Sequence, residues 1–139
     1  MANVRFLTWE EMLELHRRSL EAHGGQDGMI DAGLVESAWA TPMATFGGHY
    51  LHEDIAAMAA AYLFHISENQ GFCDGNKRTA VAACLVFLKL NGIACSATND
   101  ELYELTMSIA AHRCDKQQAT EFLRAKSESL DPDNKQDHE

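Results

Sequence analysis

Apolar side chains recur at helical spacing through most of this chain, and the first such stretch lies near the N-terminus. They are three and four residues apart between Leu13 and Leu20, just after the segment Thr8-Trp9-Glu10-Glu11. That segment is a capping box, in which the threonine hydroxyl and the glutamate three residues later satisfy the first amides of a helix. The pattern predicts a first helix that ends near His23, before Gly24-Gly25.

A second, shorter helix and a turn follow. Asp31 can cap a helix over residues 33–39, which should stop before Pro42. Residues 43–52 contain two adjacent glycines with aromatic residues on both sides. This composition predicts a loop or a small hairpin, which we consider a candidate flap.

Two long apolar stretches predict the buried helices of the domain. The chain is rich in alanine from Glu53, and apolar residues share one helical face between Ile55 and Ile66. Residues 79–90 are almost uncharged and too apolar all round for a surface helix. We therefore expect a mostly buried third helix and, after a loop at residues 69–75, the central helix of the domain.

The C-terminal third alternates short elements and then becomes polar. Residues 93–97 are compatible with a short strand, Thr98 or Asn99 can cap a fifth helix, and Asp115 can cap a last helix through about residue 125. There is no internal repeat, linker or change of composition. The sequence predicts one mainly helical, all-α domain over residues 1–127 and a disordered tail at 128–139.

Composition narrows the class of function. The chain has 139 residues, a hydrophobic fraction of 46% and a formal charge of -10. That charge disfavours a nucleic-acid surface, which needs clustered Lys and Arg. No membrane span and no export signal are visible, so a cytoplasmic setting is expected. The four cysteines form no CxxC pair, which argues against a zinc site and a disulfide framework.

The segment Asp74-Gly75-Asn76-Lys77 at the start of the central helix has the composition of an anion site. Glycine lets the backbone approach a ligand, and the amides of the first helical turn are unpaired at the positive end of the helix dipole. Asp74 would repel a bare phosphate, so its presence favours a magnesium ion that bridges carboxylate and phosphate oxygens. Lys77 and Arg78 would neutralise the remaining charge. The simpler alternative is a turn with a helix cap and no ligand.

Residues 70–80, Gln-Gly-Phe-Cys-Asp-Gly-Asn-Lys-Arg-Thr-Ala, resemble the signature of the Fic/Doc (Fido) superfamily, specifically the HxFxDGNKRTA motif of its Doc branch. The similarity extends to residues 45–48, to residues 86–92 and to His23-Gly24-Gly25. The resemblance implies a fold of about six helices around the motif helix, with a small β-hairpin flap.

The resemblance also implies a chemistry, in which a nucleoside triphosphate modifies a hydroxyl of a target protein. Fic members usually transfer AMP. Doc members act as protein kinases on a translation elongation factor and are toxins neutralised by a small antitoxin protein. Carried onto this chain, the family pattern implies ATP and magnesium as cofactors, Asp74 as the metal ligand, Gly75, Asn76 and Lys77 as the phosphate cradle, and Arg78 as the charge stabiliser.

Two positions depart from the Fic pattern. Val81 stands where Fic proteins have a second arginine, as in Doc-like sequences, which favours phosphoryl over adenylyl transfer. Gln70 stands at the place of the family's catalytic histidine, and Gly71 replaces the proline that commonly follows it. A general base usually contributes about 100-fold to 10,000-fold, and a glutamine amide cannot take up a proton.

Three interpretations of Gln70 stay open. The protein is an impaired enzyme, a silent relative that binds nucleotide or protein, or a form whose histidine was replaced in the laboratory. A substitute base is conceivable at His65, His49 or His52. We expect instead that His65 is a buried structural residue and that the other two lie in a solvated loop.

Overall fold

The computed structural model describes residues 3–130 and is mainly helical, which confirms the predicted class. A short 3-10 turn, Thr41–Met43, precedes the first strand. The elements in chain order are α1 (Trp9–His23), α2 (Ala32–Ala40), β1 (Thr45–Phe46), β2 (His49–Tyr50), α3 (Ile55–Asn69), α4 (Asn76–Leu90), β3 (Ile93–Cys95), α5 (Asn99–Ala110), α6 (Lys116–Lys126) and β4 (Ser127–Ser129).

Side-chain caps define where five of the six helices begin. Thr8, Asp31, Thr98 and Asp115 each accept a hydrogen bond from an amide in the first turn of the following helix, as the sequence predicted. Asp54 does the same for α3, one residue later than the alanine-rich pattern suggested. These caps are local interactions over two or three residues, which is why they can be recognised in the sequence.

The core lies around α3 and α4. Ten of the fifteen residues of α3 are buried, many of them alanines, and this helix packs against α2, α4, α5 and α6. Small side chains allow such close packing of several helices on one. The other long helix, α4, packs against α1, α3, α5 and β3. The loop that joins α3 to α4 is therefore held between the two most enclosed helices of the domain.

The predicted flap is a two-stranded antiparallel hairpin. Thr45 pairs with Tyr50, and Phe46 pairs with His49. The two glycines between the strands have φ angles of +59° and +82°, the conformation that a two-residue type I′ turn requires. The Phe46 side chain is 80% exposed, so the tip of the hairpin presents an aromatic ring to solvent.

One correction concerns the C-terminal segment. The predicted tail at 128–139 is wrong for its first residues, because Ser127–Ser129 form strand β4 and pair antiparallel with Ile93–Cys95. The predicted strand at 93–97 is two residues too long, because β3 ends at Cys95, which pairs with the first residue of β4, Ser127. Residues 131–139 lie outside the described part. Within residues 3–130, no helix is both long and apolar enough to cross a bilayer.

Candidate functional site

The motif loop, residues 70–75, reverses the chain between α3 and α4 by means of two left-handed residues. Gln70 is the C-cap of α3 and has φ 49° and ψ 46°. Gly75 is the N-cap of α4 and has φ 82°. Glycine adopts this conformation without cost, whereas a glutamine there is uncommon. The residue at the predicted base position therefore also serves as the C-cap of the most buried helix.

Asn76 closes the motif loop from within. Its Oδ1 accepts a hydrogen bond from the Phe72 amide at 3.0 Å, and its Nδ2 donates to the Phe72 carbonyl at 3.0 Å. The Phe72 ring is buried and stacks on His16 with centroids 3.7 Å apart. Both polar atoms of the Asn76 side chain therefore bond within the loop, and its backbone amide lies in the first turn of α4 without an intrahelical acceptor.

The N-terminus of α4 differs from the other helix starts in the described chain. Gly75 occupies its N-cap position, and no side chain accepts a hydrogen bond from the first turn. The amides of residues 76–78 are therefore left without a side-chain acceptor at the positive end of the helix dipole. Such a terminus favours a bound anion.

Asp74 is held in place by α1 and by the loop that follows it. Its Oδ2 accepts a hydrogen bond from the Gln26 amide at 2.7 Å, and its carbonyl oxygen accepts one from His16 Nε2 at 2.8 Å. A Cβ atom at Gly25 would lie 2.8 Å from the Asp74 Cβ, so glycine is needed for the close approach. Sequence analysis assigned no role to His16 or to this loop.

These residues line one polar cavity, which we call the motif cavity and which has a volume of about 550 Å³. All six residues predicted for the site, from Gln70 and Asp74 to Arg78, lie on its wall. Sequence analysis missed Ser19 and Tyr103. The lining residues are Ser19, His23, Gly24, Gly25, Gln70, Cys73, Asp74, Gly75, Asn76, Lys77, Arg78 and Tyr103.

Arg78 lies at the edge of the motif cavity beneath an aromatic ring. Its guanidinium carbon is 3.8 Å from the centroid of the Tyr103 ring. Arg78 also lines a neighbouring, more apolar cavity of about 340 Å³ between α1 and α4, which shares Ser19 and His23 with the first. Among residues 3–130, neither Lys77 nor Arg78 forms a salt bridge, so the motif cavity keeps two positive charges.

The histidines considered as substitute bases lie elsewhere. His52 and His65 each place Nε2 close to Lys116 Nζ, at 3.2 Å and 3.1 Å, and neither lines the motif cavity. Burial and the Lys116 charge lower the pKa of His65 to about 4. His49 is exposed on the hairpin. His23 does line the cavity, and its position before two glycines was the only sequence signal for it.

The residues of the motif cavity are compatible with a magnesium ion, which the Asp74 carboxylate and ligand phosphates would hold. Within the described residues, no group of three or more His, Cys, Asp or Glu side chains could hold a metal alone. Among residues 3–130, Oδ2 of the Asp74 carboxylate accepts a hydrogen bond and Oδ1 does not, which leaves Oδ1 for a cation. Magnesium is commonly bound through one or two carboxylates together with substrate phosphates and water.

Comparison with known proteins adds a family. The model of the "Fic/DOC family" matches residues 6–88, a range that includes the motif loop. The chain is 38% identical over 96 residues to "Toxin Doc" of Mycolicibacterium smegmatis, which covers 68% of this chain and 74% of that protein. It is 30% identical over 121 residues to "Protein kinase doc" of Escherichia phage P1, covering 87% and 94% of the two chains.

Proposed function

The chain belongs to the Fic/DOC family, and we propose that it is a Doc-like toxin that transfers the terminal phosphoryl group of ATP to a hydroxyl of a target protein. The observation that carries this proposal is the uncapped start of α4, which shares one cavity with Asp74, Lys77 and Arg78. The names of the two relatives, a toxin and a protein kinase, support the same function.

The residues of the motif cavity divide the work of holding ATP. In the proposed complex, the amides of Gly75, Asn76 and Lys77 bind phosphate oxygens, because they are unpaired and lie at the positive helix end. The Lys77 and Arg78 side chains neutralise phosphate charge. Asp74 is the residue that would hold magnesium, which when bound neutralises charge that develops on the phosphates.

In the transfer step, the target hydroxyl oxygen forms a bond to the γ-phosphorus while the bond from that phosphorus to the leaving oxygen of ADP breaks. The hydroxyl also loses its proton, which passes to an oxygen of the transferred phosphoryl group or to solvent water. The Gln70 carbonyl can accept a hydrogen bond from the hydroxyl and orient it, but it cannot take the proton. Phosphoryl transfer depends mainly on positioning and charge, so a slow reaction is compatible with glutamine at this place.

Partners follow from the same proposal. The exposed hairpin β1–β2 would bind an extended segment of the target. The segment would form main-chain hydrogen bonds with the free edge of one strand. The target class suggested by the Doc resemblance is a translation elongation factor, and the natural inhibitor is a small antitoxin protein. Phosphoryl transfer is favoured over AMP transfer because Val81 replaces the second arginine of Fic proteins.

Gln70 also favours a second function, in which the protein binds ATP or a protein partner without turnover. Comparing the parent with Gln70→His separates the two. Both forms are expressed in bacteria, growth is followed, and phosphorylated proteins are measured. We expect the histidine form to arrest growth and to phosphorylate a target about 100-fold to 10,000-fold faster than the parent.

Other outcomes are equally decisive. A parent as active as the histidine form would show that Gln70 is not at the base position. If both forms lack transfer but bind ATP, the silent binding protein is the correct description. His23→Ala in the parent is the control for a substitute base. Among the described residues, His23 is the histidine that lines the motif cavity.

A further inference from the structure

Arg78 is held differently from the other arginines whose partners are known in this structure. Four arginines pair with carboxylates. Within residues 3–130, Arg78 forms no salt bridge, and its guanidinium carbon lies 3.8 Å from the centroid of the uncharged Tyr103 ring. The four paired arginines are Arg5, Arg17, Arg18 and Arg124.

The chemistry of the partner decides what the guanidinium can still do. A carboxylate would neutralise Arg78 and occupy its N–H donors. An aromatic face attracts a cation through the ring quadrupole, adds no negative charge and accepts no conventional hydrogen bond. The donors and the charge of Arg78 therefore remain available to an anion in the motif cavity.

The fold fixes the ring as well as the arginine. Tyr103 lies on α5 beside Leu102, which is fully buried, and one turn before Thr106, whose hydroxyl donates to the Tyr103 carbonyl at 2.6 Å. Because α5 packs against α4, its half-buried tyrosine lies over the first turn of α4. Arg78 is in that turn, so the position of its guanidinium depends on packing between the two helices.

We propose that Tyr103 is a positioning residue, which holds the Arg78 guanidinium at the wall of the motif cavity with its charge free for a polyphosphate. The proposal rests on the proposed function in one respect, the identity of the anion. The proposal gives α5 a role in nucleotide binding, although none of the motif residues lies on that helix.

The test compares Tyr103→Phe, which keeps the ring, with Tyr103→Leu, which removes it. Magnesium–ATP affinity is measured by calorimetry. We expect the phenylalanine variant to retain most of the affinity and the leucine variant to lose roughly two- to thirty-fold. In an Arg78→Ala background the leucine change should have no further effect. Met107→Leu, at an exposed position on the same helix, is the matched control.

A second measurement does not depend on ATP. The side-chain Nε–Hε resonance of Arg78 should show an upfield ring-current shift in the parent and in Tyr103→Phe, and should lose it in Tyr103→Leu. If the parent fails to bind ATP but shows this shift, the proposed function fails and the positioning role stands. An unchanged resonance in Tyr103→Leu, or equal ATP affinity in both Tyr103 variants, would overturn the role.

Discussion

The carbonyl oxygen of Asp74 accepts a hydrogen bond from Nε2 of His16 at 2.8 Å, and the two residues are 58 positions apart in the chain. Since a carbonyl can only accept, the proton of the imidazole must be on Nε2. The His16 ring is 4% exposed and stacks on Phe72. A buried ring of α1 therefore supports the motif loop from below and sets the backbone of its acidic residue.

The first prediction tests this support. His16→Phe keeps an aromatic ring against Phe72 but leaves the Asp74 carbonyl without its donor. We expect the free energy of unfolding to fall by about 1–2 kcal/mol, because a buried acceptor loses its partner. Magnesium–ATP affinity should fall as well, since the loop is less well fixed. Urea unfolding and calorimetry measure the two effects. His49→Phe, on the exposed hairpin, should change neither, and a His16→Phe protein equal to the parent would contradict the support role.

The second prediction concerns Asp74, the proposed metal ligand. Asp74→Asn retains an oxygen that can accept the Gln26 amide hydrogen bond, but it removes the negative charge. We expect the parent to bind ATP more tightly with magnesium than without it, and the variant to lose that difference. Calorimetry with and without magnesium measures it. Asp100→Asn is the matched control, because Asp100 is exposed and does not line the motif cavity. A variant that keeps the full magnesium effect would remove Asp74 from the metal site.

The third prediction concerns the size of the residue at position 71, where this chain has glycine and the family often has proline. A Cβ atom at this position would lie 2.6 Å from Val35 Cγ2 and 2.9 Å from the Val35 backbone nitrogen. Gly71→Ala should therefore cost about 1–3 kcal/mol of stability, measured by urea unfolding. Adding Val35→Ala should restore only part of it, because the backbone contact remains. Full recovery in the double variant would show that the side chain alone excludes a larger residue.

The same contact guides the choice of revertant. A proline at position 71 would meet the start of α2, so Gln70→His by itself is the appropriate form for the activity test. A double revertant that is less stable than Gln70→His would agree with this expectation.

The fourth prediction is a loss of stability in acid that arises from His52, His65 and Lys116. Both imidazole Nε2 atoms face the Lys116 ammonium and must be neutral to accept from it. Burial and the Lys116 charge lower the pKa of His52 and lower that of His65 to about 4. An unfolded histidine titrates near about 6.5, so unfolding takes up protons at pH values between about 6.5 and 4.

Stability should accordingly fall as the pH decreases through that window and level off below it. His65 is only partly buried, so solvent screening reduces the effect to roughly 1 kcal/mol. Urea unfolding between pH 7 and pH 4 measures it. His65→Gln, which cannot become charged, should show a smaller pH dependence than the parent. Equal slopes in the two proteins would assign the acid sensitivity to other groups.

Much of the fold follows from short-range patterns. The caps at Thr8, Asp31, Thr98 and Asp115 were recognisable because side chain and amide are within three residues of each other. The hairpin was recognisable because Gly47-Gly48 is suited to a type I′ turn. Strand β4 was missed because its polar residues carry no strand signal, and its pairing with β3 joins distant segments.

The sequence by itself determined the motif loop, its uncapped helix start and the order of charges from Asp74 to Arg78, because these depend on residues adjacent in the chain. Only the tertiary structure decided what surrounds them. The packing of α1 and α5 on α4 brings His16 under Asp74 and Tyr103 over Arg78. Such contacts depend on the distance and angle between packed helices, which no local pattern of residues encodes.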